Sequence, residues 1–551
     1  MLEISEIPVS LDQGATESGC IDAGTREAQR LLGCQPFDIR AVTLRRKSTD
    51  ARRKRHVQFV ISVRVELRPG LDERVLIDAL PAQARRRVRL VEDDQAAFPG
   101  RSAAVGKRHA RPVVVGAGCA GLFAALALAE AGLEPLLIER GKDAARRADD
   151  VETFNALGLL NPESNIQFGL GGAGAFSDGK LSTGTKSPDH RLILNTLVQA
   201  GAPRDILWES NPHIGSDILP RVVASLVERI RGLGGEVRFG CKLIRVDRGV
   251  DTGIRDIAVV SQNGFEEYLF VKHLVLACGH SARDVFDLLQ NSGVQLARKT
   301  FAMGVRIEHL QADIDAAQYG PAAGHPALGA ASYKLVAHCA GGRSLFTFCM
   351  CPGGEVVAAA TEPKGVVTNG ASLNARAGTN ANAALLVNIT PEDLPGTDPL
   401  EGVALQRACE RKAYELGGGA FQAPVQLVGD FLDGRPSAGP GRVQPSYPRG
   451  VTWTQLDEAL PPHVADTLRL GLPALDRKLR GYCDGQAVLT GVETRSSSPV
   501  QVTRDASLQS VNTPGLYPCG EGAGYAGGIM SAAADGIRCA RAVISSIEAG
   551  L

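Results

Sequence analysis

The most regular alternation of apolar and polar residues in the chain lies between residues 57 and 67. The apolar positions are Val57, Phe59, Ile61, Val63, Val65 and Leu67, and Val60 is the one exception to the alternation. A period of two residues predicts a half-buried β-strand. The preceding residues are polar and then helical over 25–32. With a partner strand over 39–44 and a helix or third strand over 75–80, residues 1–100 are predicted to form a small α+β module.

A strand, a helix and a second strand are predicted in succession between residues 113 and 138. Val113, Val114 and Val115 form a short apolar run of the kind that is buried in a parallel sheet. Residues 122–131 are mostly strong helix formers and are followed by Gly132, a residue typical of a helix C-terminus. The next apolar run, 135–138, is the second strand.

The turn between the first strand and the helix has the spacing G-x-G-x-x-G. Gly116 permits a tight turn, Gly118 lets the backbone approach a pyrophosphate, and Gly121 lets the helix pack on the strand. The N-terminus of that helix favours an anion. Glu139 ends the second strand 23 residues after Gly116, where a carboxylate accepts hydrogen bonds from a ribose. The unit therefore predicts a dinucleotide site.

Two further glycine-rich stretches, 167–181 and 515–536, are predicted to contact the same ligand. The first is too rich in glycine for a helix and carries Ser177 and Lys180 as polar groups, whereas the alternative is an ordinary tight loop. The second reads as a strand, a Gly-Glu turn and a helix that starts near Gly528, whose N-terminus suits negative charge on a flavin ring. The first and last segments of this part of the chain must then meet in space.

The remaining pattern divides the chain into four parts. An amphipathic helix is predicted over 218–232, with Ser216 or Asp217 as its N-cap. A strand over 269–277 precedes Cys278, Gly279 and His280, and a helix starts at Arg283. The strand–helix rhythm stops after this helix. The predicted parts are a basic module (1–100), the first part of a Rossmann-type α/β domain (101–295), an inserted α+β substrate domain (296–495) and the C-terminal part of the Rossmann-type domain (496–551).

Composition and charge exclude several classes of protein. The chain has 551 residues, 44% of them hydrophobic, with 60 basic and 60 acidic residues, which is typical of a globular protein. Its 12 cysteines are too few for a disulfide framework, no apolar run has membrane-spanning length, and the first residues do not resemble a signal peptide. A cytoplasmic protein without a membrane partner is expected.

The N-terminal module is strongly basic. Fifteen Lys or Arg and five Asp or Glu lie between Arg40 and Arg89. This charge is typical either of a solvated face or of a surface that docks nucleic acid. No aromatic residues are interleaved with the basic ones, so the solvated face is favoured.

Candidate acid–base and redox groups occur in the predicted substrate domain, and any one of them has a structural role as its alternative. They are Glu308, His309, Tyr333, Lys334, Cys349 and Cys351. In an extended strand the two cysteines point to one face with Cα atoms roughly 6.6 Å apart, at the upper edge of disulfide geometry. They are either a redox pair or small buried residues, and no second cysteine pair supports zinc. Arg306 and Arg495 are candidates for holding an anionic substrate group or for ion pairs, and His280 is a candidate catalyst or a capping residue.

Five motifs together resemble one family. The segments 171–181, 301–309, 347–354, 490–495 and 520–536 are similar to those of bacterial proteins called uncharacterised FAD-dependent dehydrogenases, and the resemblance covers the chain from about residue 30 to its end. Ala175 and Cys278 are small departures from the pattern of related flavoproteins. The resemblance implies FAD as cofactor, bound by a Rossmann-type domain. The residues expected to bind it are Gly116, Ala117, Gly118, Ala120, Gly121, Glu139, Arg140, Gly172, Gly174, Ser177, Lys180, Leu181, Cys278, Gly279, Gly520, Glu521, Gly528, Ile529 and Met530.

The predicted function is a FAD-dependent oxidoreductase that exchanges two electrons with a small organic substrate. No second strand, G-x-G-x-x-G turn and helix is found, so NAD(P)H is expected at most as a transient partner, beside a protein electron donor. The alternatives are an RNA-directed flavoprotein that docks nucleic acid through the basic module and a flavin-bearing scaffold or sensor without turnover.

Overall fold

The computed structural model describes residues 1–92, 96–107, 109–249 and 253–550. Residues 93–95, within the predicted N-terminal module, lie outside this description. The elements of the module are β1 (Leu2–Val9), α1 (Glu17–Leu32), β2 (Ile39–Asp50), β3 (Gln58–Leu67), α2 (Glu73–Asp78), α3 (Ala82–Arg85) and β4 (Val88–Leu90).

The module is an antiparallel sheet in the order β2-β3-β1-β4, covered by α1. The strand predicted from the alternation is confirmed as β3, and segment 75–80 is helical at its start rather than a strand. β1 was not predicted, although it lies inside the sheet. Its register is interrupted between Ile4 and Ile7, which breaks the period of two by which a strand is recognised.

The next part of the chain contains the predicted dinucleotide unit. Its elements are β5 (Val113–Val115), α4 (Cys119–Glu130), β6 (Leu136–Glu139), α5 (Ala144–Leu157), α6 (His190–Gln199), α7 (Leu219–Gly232), β7 (Glu236–Phe239), β8 (Cys241–Arg248), β9 (Ile254–Ser261), β10 (Glu266–Phe270), β11 (Leu274–Leu276), α8 (Arg283–Asn291) and β12 (Leu296–Arg298).

The last part of the chain is richer in antiparallel strands. Its elements are β13 (Phe301–Leu310), α9 (Gln311–Tyr319), β14 (Val336–His338), β15 (Ser344–Cys351), β16 (Glu355–Ala358), β17 (Thr368–Ala371), β18 (Asn380–Ile389), α10 (Glu401–Leu416), β19 (Ala423–Leu427), α11 (Val428–Asp433), β20 (Val451–Trp453), α12 (Pro462–Asp476), β21 (Val488–Glu493), β22 (Val500–Val502), β23 (Leu516–Pro518) and α13 (Ile529–Glu548).

Two large sheets frame the molecule. A parallel sheet has the order β23-β11-β5-β6-β7, as expected for a Rossmann-type α/β fold. A mostly antiparallel sheet has the order β14-β15-β18-β13-β21-β19-β20. Smaller sheets are formed by β10-β9-β8, by β12 with β22 and by β16 with β17.

The two ends of the Rossmann-type fold meet, as the sequence predicts. β23 pairs with β11, and α13 packs along α4. A Cβ atom at Gly536 of α13 would lie 2.1 Å from the carbonyl oxygen of Ala120, so the two helices can approach this closely only without that side chain. Both helices belong to one hydrophobic core.

Two local predictions were wrong. The strand predicted over 269–277 is two strands, because β10 pairs with β9 whereas β11 belongs to the parallel sheet. Neither Ser216 nor Asp217 caps α7. The cap position is Ile218, and the Asp217 carboxylate accepts a hydrogen bond from the backbone N–H of Asn374 instead. Among the helices of the described residues, none combines the length and the apolar character needed to cross a membrane.

Candidate functional site

A cleft of about 320 Å³ lies at the carboxyl ends of the parallel strands. Its wall includes residues that directly follow β5, β6 and β11, where ligands bind in open α/β sheets. Fourteen of the residues predicted to bind cofactor line it: Gly116, Gly118, Ala120, Glu139, Arg140, Gly172, Gly174, Ser177, Lys180, Cys278, Gly279, Glu521, Gly528 and Ile529.

The other five predicted cofactor residues do not line the cleft. Ala117 and Gly520 donate backbone hydrogen bonds to Glu139 and Asp535, and Leu181 and Met530 are core residues. A Cβ atom at Gly121 would lie 1.8 Å from the carbonyl oxygen of Gly116, so this glycine permits the turn rather than contacts a ligand.

The first turn of the Rossmann unit is shaped to leave space and free donors. Gly116 has a φ of +103°, and a Cβ atom on it would lie 2.4 Å from the Ala277 carbonyl oxygen. Gly118, in contrast, faces open space, where a Cβ atom would meet nothing closer than the Gly172 Cα atom at 3.9 Å. The N-cap residues of α4 and α13 are Gly118 and Gly528, and in the part of the chain that the structure describes neither helix start has a capping bond from its N-cap side chain. Two uncapped helix N-termini therefore border one cleft, and these donors fit the phosphates and the ring of FAD.

Glu139 joins three backbone segments around the cleft. Its carboxylate accepts hydrogen bonds from the backbone N–H groups of Ala117 at 2.8 Å, Gly141 at 2.9 Å and Gly169 at 3.0 Å. A carboxylate has about four lone-pair sites, so one acceptor site remains for a ligand. The predicted ribose contact stays a prediction, and Glu139 also has this structural role.

Arg147, which the sequence analysis missed, holds the first glycine-rich loop. Its guanidinium is buried and donates to the carbonyl oxygens of Asn165, Ile166, Leu170 and Gly172 at 2.6–2.8 Å. The loop backbone thus keeps its polar groups satisfied while Gly172 faces the cleft. Arg147 lies on α5, and a charged residue on a helix carries no sequence signal of such a contact.

Asp535 has the corresponding role at the second glycine-rich stretch and was also missed. Its carboxylate accepts from the backbone N–H of Gly520 at 2.8 Å and is paired with Arg504 at 2.7 Å. These bonds position Glu521 at the cleft. Burial raises the pKa of Glu521 to about 7. Its carboxylate oxygen lies 3.9 Å from Nε2 of His280, and burial, aided by the charge of Arg495, lowers the pKa of His280 to about 3.

A charged cluster from the antiparallel sheet faces the same cleft. Arg306 lies on β13, pairs with Glu493 at 2.8 Å and donates to the Cys349 carbonyl oxygen at 2.7 Å. Lys180 pairs with Asp178 at 2.9 Å. Burial raises the pKa of Glu493 to about 7 although Arg306 opposes the shift. Glu493, Cys349 and Lys180 all line the cleft.

The two candidate substrate-holding arginines are committed to carboxylates. Arg306 is fully buried in its pair with Glu493. Arg495 lines the cleft, but its guanidinium donates to both oxygens of Glu410, at 3.0 and 2.7 Å, and to Thr361 at 2.6 Å. The ion-pair alternative therefore describes both arginines.

Five of the six candidate catalytic residues lie outside the residues that line the cleft. Glu308 is buried and bonded to Ser446 and Asn380, and His309 bonds the Tyr482 carbonyl oxygen at 2.7 Å. Tyr333 is buried and packs edge-on against Tyr482. Lys334 is exposed. Cys349 lines the cleft, and Cys351 is buried directly behind it.

Three descriptions of protein families match the chain. Residues 300–496 match "FAD-dependent protein, C-terminal domain-like", residues 114–171 match "NAD(P)-binding Rossmann-like domain", and residues 1–66 match a domain of unknown function, DUF8436. An uncharacterized protein of Clostridium beijerinckii is 43% identical over 552 residues, which covers 99% of both chains.

Solved structures are similar only distantly. A geranylgeranyl bacteriochlorophyll reductase-like protein from Thermoplasma acidophilum is 13% identical, with a TM-score of 0.35 over 80% of this chain and 78% of that one. A glycerol-3-phosphate dehydrogenase from Bacillus halodurans complexed with FAD is 9% identical, with a TM-score of 0.35 over 81% and 65%.

The cleft and the full-length relative lead to one assignment. The open glycine turn, the two uncapped helix N-termini and the match of residues 300–496 agree on the cofactor, which is FAD. The chain belongs to the family of the Clostridium protein, a family of FAD-dependent proteins with a Rossmann-like dinucleotide-binding domain.

Proposed function

We propose that the protein is a FAD-dependent oxidoreductase that exchanges two electrons with a small organic substrate in the cleft between the Rossmann-type fold and residues 296–495. One observation carries this proposal. Cys349 and Glu493 of the antiparallel sheet face the same cleft as the glycine turn and the N-terminus of α13. FAD supplies reversible two-electron chemistry, and the protein supplies position and proton transfer.

Glu493 is the proton-transfer group that we propose. A carboxyl group whose pKa is raised to about 7 by burial exchanges its proton near neutral pH, which is the range in which general acid–base catalysis is effective. Arg306 fixes its orientation through the 2.8 Å ion pair. Lys180 adds a positive charge that is held by Asp178. The site thus combines a proton donor or acceptor with a cation that suits an electron-rich substrate.

The test is anaerobic reduction of the purified, FAD-containing protein. Bleaching of the oxidised flavin band at roughly 450 nm is followed with NADH, NADPH and a panel of metabolites. Bleaching by a nicotinamide identifies a reductase with NAD(P)H as a transient partner, and bleaching by a metabolite identifies a dehydrogenase and its substrate class. If neither these compounds nor protein electron donors reduce the flavin, the result contradicts the proposal. It then favours the alternative of a flavin-bearing scaffold or sensor without turnover.

Glu493→Gln and Glu362→Gln form a matched pair for the role of the carboxyl group. Glu362 is half-exposed and pairs with Arg407 and Arg283. We expect Glu493→Gln to slow flavin reduction while FAD remains bound, and Glu362→Gln to leave the rate unchanged. Equal rates in both variants would exclude Glu493 as the proton-transfer group.

A further inference from the structure

The end of β15 brings two cysteines together in an irregular strand. Between Phe348 and Cys351 this strand advances three residues while β18 advances two, from Ala384 to Asn382. The extra residue is a β-bulge, which bends a strand. Cys349 has a φ of +40°, in the left-handed region that few residues other than glycine adopt. The 6.6 Å separation expected of an extended strand therefore does not apply to Cys349 and Cys351.

The Cys351 thiol lies against the backbone of Cys349 at this bulge. The Cys351 Sγ atom lies 3.3 Å from the carbonyl oxygen of Cys349, so the Cys351 side chain folds back toward the preceding cysteine. All twelve cysteines are free thiols. Cys349 is half-buried and lines the cleft, whereas Cys351 is fully buried. The pair thus has one sulfur that a ligand can reach and a second directly behind it.

Two cations surround the pair. The Lys180 Nζ atom and the Arg306 Nη2 atom each lie 3.9 Å from the Cys351 Sγ atom. The acidic groups that face the same cluster are Asp178, Glu493 and Glu521. Cations next to a thiol stabilise its thiolate, which is the nucleophilic form.

We propose that Cys349 and Cys351 form a thiol–disulfide exchange site at the cleft, and that its substrate class is a small disulfide. The site rests on the proposed function, because it names a substrate class for the same cleft. The alternative is a pair of small residues that only fill the strand.

The exchange proceeds in two balanced steps. The Cys349 thiolate attacks one sulfur of the substrate disulfide, a protein–substrate S–S bond forms, and the other half of the substrate leaves as a thiolate that takes up a proton. Cys351 then loses its proton and attacks Cys349, the internal S–S bond forms, and the second half of the substrate leaves as a thiol. The substrate gains two electrons and two protons, and the cysteine pair loses them.

The protonation states agree with these roles. The adjacent Cys351 thiol, then the charges of Lys180 and Arg306, lower the pKa of Cys349 below the ordinary thiol range. The neighbouring Cys349 and burial raise the pKa of Cys351 well above that range. Because Cys349 lines the cleft and Cys351 is buried behind it, Cys349 is the attacking group and Cys351 the resolving group.

The first test uses the wild-type holoprotein and hydroxyethyl disulfide. Trypsin releases residues 344–364 as one peptide that contains both cysteines of the pair and no other cysteine. After alkylation, we expect this peptide to have lost two hydrogen atoms and to carry no alkyl group. Recovery of this peptide doubly alkylated after exposure to the disulfide overturns the proposal.

Single cysteine variants distinguish the attacking cysteine from the resolving cysteine. Cys351→Ser should accumulate a mixed disulfide at Cys349, and Cys349→Ser should form none, whereas Cys34→Ser in the N-terminal module should behave as the wild type. A mixed disulfide at another cysteine contradicts the assignment. The result is independent of the proposed function, because exchange is read by mass without flavin reduction. Flavin that is reduced normally while the pair does not exchange refutes only this inference.

The variant Lys180→Met tests whether the charge of Lys180 stabilises the Cys349 thiolate. Losing this cation raises the pKa of Cys349 and lowers the fraction of its thiolate at pH 6, so exchange at that pH should slow on the order of tenfold. The matched variant is Lys412→Met, which removes an exposed lysine outside the cleft and should not alter the pH profile. Identical pH profiles of Lys180→Met and wild type would contradict thiolate stabilisation by Lys180.

Discussion

Glu410 holds together two buried arginines, and its replacement by glutamine should destabilise the protein strongly. Its carboxylate accepts from Arg283 at 2.7 and 2.8 Å and from Arg495 at 3.0 and 2.7 Å. The side chains of all three residues are at most 2% exposed. Glu410→Gln keeps the shape but removes the buried counter-charge that Arg283 and Arg495 share, and Arg283 keeps its longer 3.4 Å contact with Glu362.

The expected magnitude follows from this burial. Removing one partner of a buried ion pair costs about 3–5 kcal/mol, so we take about 4 kcal/mol. For 551 residues the entropy of unfolding is about 1.2 kcal/mol/K, and the melting temperature should fall by about 3 °C. Urea unfolding measures the free energy and a thermal scan the melting temperature. Arg495 also lines the cleft, so FAD content is measured in parallel.

The stabilisation that Glu410 provides should decrease as the pH falls. Burial alone would raise the pKa of Glu410, but Arg283 and Arg495 outweigh it and hold that pKa well below the ordinary value of 4.5. A carboxyl group whose pKa is depressed in the folded state stabilises the protein above its unfolded pKa and loses this contribution as the pH falls. The difference in the free energy of unfolding between wild type and Glu410→Gln should therefore be constant from about pH 6 to about pH 8. It should become smaller below about pH 4.5.

The control is the same change at Glu362. This carboxylate also contacts Arg283, at 3.4 Å, but its side chain is 31% exposed, so Glu362→Gln should cost at most about 1 kcal/mol. If Glu410→Gln lowers the free energy of unfolding no more than Glu362→Gln does, burial does not strengthen the contribution of the Glu410 ion pairs to stability. That result would refute the prediction.

Four further predictions concern the cleft and the loop beside it. Gly116→Ala should lower both folding yield and FAD content because its Cβ atom would lie 2.4 Å from the Ala277 carbonyl oxygen. Gly118→Ala should keep the melting temperature and weaken FAD binding about tenfold in titrations of the apoprotein, and unchanged affinity would contradict a close backbone approach. Arg147→Met leaves four carbonyl oxygens without their donor and should cost about 4 kcal/mol in urea unfolding, at about 1 kcal/mol each. In the pH profile of flavin reduction, the Glu493 carboxyl, protonated below about pH 7 and ionised above it, should produce a limb near pH 7 that Glu493→Gln abolishes, and a retained limb would assign it to another group.

The dinucleotide unit was predictable because its determinants are local. The turn at Gly116, the helix after it and the strand that ends at Glu139 lie in one continuous segment, and each needs a residue type that the sequence shows directly. The strand β3 was predictable for the same reason, since alternation is a property of neighbouring residues. β1 was not, because an interrupted register hides its alternation.

By itself, the sequence determined the cofactor-binding part of this protein, since a glycine that must adopt a positive φ or leave space can be recognised without its neighbours. Only the tertiary structure decided which polar groups meet. Lys180 and Cys351 are 171 residues apart, and Arg283 and Glu410 are 127 apart. The charge of such groups, and hence their pKa and their chemistry, depends on partners and burial that the packing of two separate sheets creates.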